Sequence, residues 1–180
     1  MHIFVAGTTG WVGSAVTDEL LKAGHQVTGL ACSNDKATVL AATGANVLRA
    51  THDDLDTLRA TAAAADAVIH TVFNHDVSKF AENADQDRRV IEALGSALEG
   101  SQRPLPVTSS GLSGLPRGAT EADIAGPAGP RKRDREHFGW FANVVGADMA
   151  ASSARTQSHL GWKPSAPSLI TDIEQSGYYA

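Results

Sequence analysis

The chain lacks the features that mark several large classes of protein. Its 180 residues contain one cysteine, Cys32, so no internal disulfide can form, and the chain suits a reducing compartment. No apolar run approaches the ~20 residues that cross a bilayer. Nothing reads as a secretory leader: Lys22 is the first basic side chain apart from His2, and glycines interrupt the apolar start. Excess positive charge is absent as well. Fifteen Lys and Arg against twenty Asp and Glu leave a formal charge of −5, spread along the sequence. That argues against a nucleic-acid or anionic-membrane partner. Metal-ligand spacing is missing too: His70, His75 and Asp76 match no common site, and no second cluster assists them. The expectation is a soluble cytoplasmic protein without a metal.

What is present is a regular alternation. With 42% hydrophobic residues, a chain of this length makes one ordinary domain and buries roughly two-thirds of its unfolded surface. "HIFVA" at 2–6 reads as a strand that stops at Gly7. Val12, Ala15, Val16 and Leu20 then recur at helical spacing up to Ala23, with Gly24 as the stop. Strands follow at 25–31, 46–50 and 66–73, with helices at 35–43, 55–64 and 79–98. Asp35 and Asp54 read as helix caps, and "RPLPVTSS" at 103–110 as a fifth strand. Strands alternating with helices at these lengths specify parallel βαβ units covered on both faces, the doubly wound α/β class. Its ligands bind beyond the carboxyl ends of the strands.

The alternation ends after Ser110. Residues 111–130 are rich in glycine and proline; a stretch this long is a functional loop, a disordered one or a seam. Beyond it a helix is expected from 131 to about 147, a second in "ASSARTQSHLG" ending at Gly161, and a short element at 168–175. The organisation read from this is a nucleotide-binding domain at 1–113, a linker or seam at 114–130, and a helical remnant at 131–180.

The stretch "FVAGTTGWVG" carries the chemistry. A strand turning tightly into a helix needs a residue free of Cβ constraints, which Gly7 supplies. A diphosphate approaching the helix start needs backbone without bulk, which suits Gly10. Close packing of helix on strand suits Gly13. Exposed N–H groups near residues 10–12, at the positive end of the helix dipole, then hold the phosphates. A glycine trio alone is weak evidence; its place between strand and helix within a βαβ alternation makes it a nucleotide-binding signal.

"GTTGWVG" resembles the T-G-x-x-G-x-x-G turn of extended and atypical short-chain dehydrogenases/reductases, the group that includes NAD(P)-dependent epimerases and dehydratases. "DAVIHTVFNHD" is similar to their fourth strand, "PVTSSG" to their fifth, and "SSARTQSHLGWKP" to their closing signature. The resemblance covers residues 1–113 and 133–180. It implies a Rossmann-type sheet and an NAD or NADP cofactor. Gly7, Thr9, Gly10, Trp11, Val12, Gly13 and Thr71 would lie around that cofactor. At the end of the second strand "LACSNDK" has Cys32 where relatives often carry arginine, while Ser33 can hydrogen-bond a 2′-phosphate and Lys36 can approach one. The balance leans to NADP. The position that contacts adenine in the family falls on Thr51, with Asp53 and Asp54 just beyond.

The resemblance also implies a Tyr-x-x-x-Lys pair and a serine after the fifth strand, acting on a small carbonyl or alcohol substrate. Ser110 matches the serine. The pair is absent: the tyrosines are Tyr178 and Tyr179, and no lysine follows either by four residues. An internal deletion at the seam accounts for this, whether a natural shortening, a splice variant or an imperfect gene model. Three readings follow: an oxidoreductase, a dinucleotide-binding sensor or partner without catalysis, and an inactive remnant. Family dimers pair through helices beside the fourth and fifth strands, and the 79–98 helix fits that role in a homodimer.

Overall fold

The computed structural model describes residues 1–108, 119–120 and 151–165. The chain divides into two units, Met1–Thr108 and Ser109–Ala180.

In the first unit, strands β1 (His2–Ala6), β2 (Gln26–Ala31), β3 (Asn46–Arg49) and β4 (Ala67–His70) form one parallel sheet in the order β3-β2-β1-β4. Helices α1 (Trp11–Lys22), α2 (Asn34–Ala42), α3 (Leu55–Ala63) and α4 (Phe80–Leu98) make the crossovers, the last entered through a 3₁₀ turn at Val77–Lys79. Side chains alternate across the sheet, so two cores form. Phe4, Leu30 and Val68 meet Leu58, Val90 and Leu94 on one face. Ile3, Val5, Val27 and Ala31 meet Ala37 and Leu40 on the other. This is the doubly wound, Rossmann-like architecture expected, a class whose ligands bind beyond the carboxyl ends of the strands.

Local differences have physical reasons. The expected strand at 66–73 ends at His70. Thr71 uses its N–H (2.8 Å) and its hydroxyl (3.0 Å) to bind Ala6 O at the end of β1, and the chain then leaves the sheet. The expected fifth strand runs beside β4, with His70 N donating to Pro106 O (2.9 Å) and Thr108 N to His70 O (2.9 Å). Pro106 accepts a bond there but has no N–H to return, so the ladder shrinks to a single bridge between His70 and Val107. Helix α2 is capped by Ser33, whose Oγ accepts from Lys36 N (3.3 Å); Asp35 lies in the first turn instead. Asp54 stands at the start of α3, but its carboxylate turns back to accept from Thr51 N (2.6 Å) and Oγ1 (2.7 Å).

In the second unit, β5 (Ala119–Thr120) and β6 (Ala151–Ser152) pair in parallel. A short helix, α5 (Ala154–Leu160), ends on Gly161 at φ +62°, with Trp162 N donating to Gln157 O (3.1 Å). The residues that begin the expected "ASSARTQSHLG" helix are thus strand. Ser110, the expected 131–147 helix and the 168–175 element lie outside the described residues.

Candidate functional site

The β1–α1 turn is built around its glycines. Gly7 has a φ of +103°, and a Cβ there would lie 2.6 Å from Thr71 Oγ1 and 2.8 Å from Val72 N. Gly13 is buried, and a Cβ on it would overlap Gly7 O and approach Thr71 Oγ1 to 2.8 Å. Gly10 closes the turn by donating to Gly7 O (2.9 Å) and caps α1. It brings no side chain to that end, and the first turn of α1 holds no acidic residue. Neither the cap nor the first turn of α1 therefore brings a carboxylate to the helix's positive end.

The other expected residues group around this turn to differing degrees. Thr9 is half-buried, while Trp11 (79%) and Val12 (53%) are exposed on the first turn. Thr71 touches both Gly7 and Gly13 positions from the end of β4. Ser33 is exposed at the start of α2, one strand away.

A fourth close approach was not singled out from sequence. A Cβ on Gly29 would lie 2.6 Å from both Leu40 Cδ2 and Thr8 Cγ2, and buried Thr8 donates to Leu30 O (3.3 Å). The signal was a glycine inside the strand pattern "QVTGLA".

Beside the turn lies a small cleft lined by His52, Val72, Phe73, Asn74, Gln86 and Asp87, among others. His52 rather than Thr51 faces it, because Thr51 is tied into the Asp54 turn. Asp53 is held from the other side by Gln86 Nε2 (2.9 Å). His52 Nε2 lies 3.9 Å from Cys32 Sγ. Burial first, and then the neighbouring His70, depress the basicity of the His52 imidazole; burial raises the Cys32 thiol. His70, 1% exposed, bonds Asp87 Oδ1 through Nε2 (2.7 Å). A carboxylate only accepts, so Nε2 carries the proton; Nδ1 has no partner among the described residues. Asn83 pins the β4–α4 loop by donating to Asn74 O (3.2 Å) and Asp76 O (2.8 Å). His75 lies exposed in that loop, edge-on to Phe73 at 5.6 Å.

The lowered His52 pKa sets a pH dependence. A histidine kept neutral by folding takes up its proton more readily when unfolded, so stability present near neutral pH declines once pH falls below the unfolded value of about 6.5. Urea unfolding midpoints measured from pH 7 down to about 5 are expected to fall, and less steeply in His52→Gln. An identical slope in both proteins removes His52 as the cause.

Fold and turn together define a Rossmann-like α/β protein with a glycine-built strand-to-helix turn. The sequence matches the NAD(P)H-binding family over residues 7–180, and the chain belongs to that family. An uncharacterised protein of Schizosaccharomyces pombe is 48% identical over 109 residues, covering 61% of this chain and 37% of the relative. The chain thus spans well under half the length of that curated relative. Among solved structures, a Lactobacillus casei protein matches 69% of this chain and 54% of its own, with a TM-score of 0.55 and 23% identity. The UDP-glucose-4-epimerase of Stenotrophomonas maltophila, solved with NAD bound, matches 71% of this chain and 43% of its own, with a TM-score of 0.53 and 20% identity. At those identities the two structures speak for the fold.

Proposed function

We propose that this chain is an NAD(P)-dependent oxidoreductase of the short-chain dehydrogenase/reductase type, acting on a small carbonyl or alcohol. The observation that carries it is the α1 terminus: a helix start with a glycine cap, no acid in its first turn, and a neighbouring backbone packed too closely for any Cβ at Gly7 or Gly13. An anion is the partner such an end favours, and a diphosphate fits a surface stripped of side chains. In this reading the backbone of Gly10, Trp11 and Val12 faces the diphosphate. Thr9 borders it, Thr71 supports the turn from β4, and Ser33 faces the adenosine end. The nicotinamide, when bound, supplies or accepts hydride. Ser110 polarises the substrate oxygen.

A second reading has its own observation. The sequence contains no Tyr-x-x-x-Lys pair, which favours a dinucleotide-binding protein without turnover, acting as a sensor or as partner of a longer relative. An internal deletion relative to the extended family accounts for the missing pair.

Titration of the protein into NADPH and NADH, followed by nicotinamide fluorescence, tests the common part of both readings. Saturable enhancement is expected; none with either nucleotide overturns both. NADPH oxidation against a panel of small carbonyls then separates them, since turnover is expected of the oxidoreductase and not of the binder.

A further inference from the structure

The end of β2, where a Rossmann-type protein sorts NAD from NADP, offers in Cys32 neither an acid for the ribose hydroxyls nor a base for a phosphate. The sheet register supplies a charge from elsewhere. Ala31, the last residue of β2, is paired with Arg49, the last residue of β3. The Arg49 guanidinium reaches over to α2, where Nη1 donates to Asn34 Oδ1 in the first helical residue. We propose that Arg49, braced by Asn34, is the residue that recognises the 2′-phosphate of NADP(H) in this chain, doing from β3 what a basic residue at the end of β2 would otherwise do. This rests on the dinucleotide-binding reading above.

Four further observations converge on the same spot. Ser33 accepts from Lys36 N through Oγ and keeps its own hydrogen for donation. The Lys36 ammonium acts electrostatically on both Cys32, just after β2, and His52, beyond the end of β3, disfavouring the imidazolium and favouring the thiolate. Among the described residues neither Arg49 nor Lys36 is engaged in an ion pair, whereas Lys22, Arg59, Arg88 and Arg89 all are. The acid nearest in effect on Cys32, Asp54, is occupied by Thr51. A guanidinium is always charged and presents a planar fork suited to phosphate oxygens. Asn34 takes up one donor and fixes the side chain, so less freedom is lost when the others meet a ligand.

Calorimetric titration of the whole chain with NADPH and with NADH tests this, comparing wild type, Arg49→Met, Asn34→Ala and Lys36→Met. Wild type is expected to bind NADPH more tightly than NADH. Arg49→Met is expected to weaken NADPH by about 10- to 100-fold, the range of a lost charge-assisted phosphate contact, and to leave NADH within about twofold of wild type. Asn34→Ala should show a smaller loss confined to NADPH. Arg49 is exposed, so the variants should fold, which circular dichroism verifies. Equal losses for both nucleotides in Arg49→Met, a wild-type preference for NADH, or a selective loss in Lys36→Met but not in Arg49→Met each overturns the proposal. Failure of the wild-type chain to bind either nucleotide instead overturns the dinucleotide reading, and the proposal falls with it.

Discussion

Gly13→Ala is expected to weaken NADPH binding by about 100-fold and to destabilise the first unit at the same time. Two opposing effects meet at this position. Gly13 lies in the first turn of α1, and alanine in a helix gains about 1 kcal/mol over glycine. Against that, the added methyl would overlap Gly7 O and press on Thr71 Oγ1. A carbonyl oxygen in a turn closed by the Gly10 N–H bond cannot rotate away as a side chain would. Overpacking of this kind costs about 1–3 kcal/mol or more, so the clash outweighs the propensity and α1 is displaced from β1. Moving the helix start misaligns the amides proposed to meet the diphosphate. Gly10→Ala separates the two consequences. Its backbone, at φ −84° and ψ 169°, accepts any residue, and its Cβ would meet Gly7 O at 3.3 Å, a tight but yielding contact. Gly10→Ala should therefore keep most of its stability and lose NADPH affinity because the methyl stands where the diphosphate approaches. Denaturant unfolding and NADPH titration on both variants check this. Wild-type affinity in Gly10→Ala would show that no ligand approaches the backbone there.

These two glycines were legible because their tightest constraint, the Gly7 carbonyl, lies within ten residues of sequence, where a strand, a turn and a helix must share the same small space; Thr71, which also crowds Gly13, comes from the end of β4 and gave no local signal. The four strands and the helices between them were legible for a similar reason, since a continuous apolar run such as that at 66–73 and the 3.6-residue rhythm of 79–98 are local signals. Details decided by small competitions were not. Ser33 and Asp35 are both good cap residues, and the end of β2 at Ala31 settles the choice for Ser33. Pro104 and Pro106 were visible, but whether their missing N–H groups faced β4 depends on register. Arg49 and His52 were invisible as site residues. Arg49 meets Asn34 through the pairing of β2 with β3, and His52 meets Cys32 across twenty residues. Gly29 announced itself only as a glycine in a strand; which atoms it admits follows from α2 folding back over β2.

Arg103 is the furthest from any local signal, and its removal is expected to have the largest effect on stability. Helices α3 and α4 each end without a basic residue in the last turn. Their carbonyl ends are negative poles that need donors. Arg103, just after α4, supplies both: Nη1 donates to Ala63 O and Ala65 O (2.8 Å each), Nη2 to Ala97 O (3.1 Å), and Nε to Ser101 Oγ (3.2 Å). One guanidinium thus ties the C-terminus of α3 to that of α4, the two helices that close the Phe4–Leu58–Leu94 core. Hydrogen bonds to a charged group contribute about 1.5–3 kcal/mol each when lost singly. They share one side chain here, and water reaches part of the site, so Arg103→Ala should cost about 2–4 kcal/mol in total. Against a domain stability of about 5–15 kcal/mol that is a large fraction, and the melting temperature should fall by roughly 10 °C. Arg103→Lys separates charge from geometry. An ammonium keeps the favourable interaction with the two helix ends but cannot span both sets of carbonyls, so it should recover less than half of the loss. The glycine turn lies at the carboxyl edge of the sheet and Arg103 at the amino edge, beside the start of β4. NADPH affinity measured well below the melting temperature should therefore be unchanged in Arg103→Ala. A variant as stable as wild type would mean that solvent satisfies those carbonyls as well as the guanidinium does.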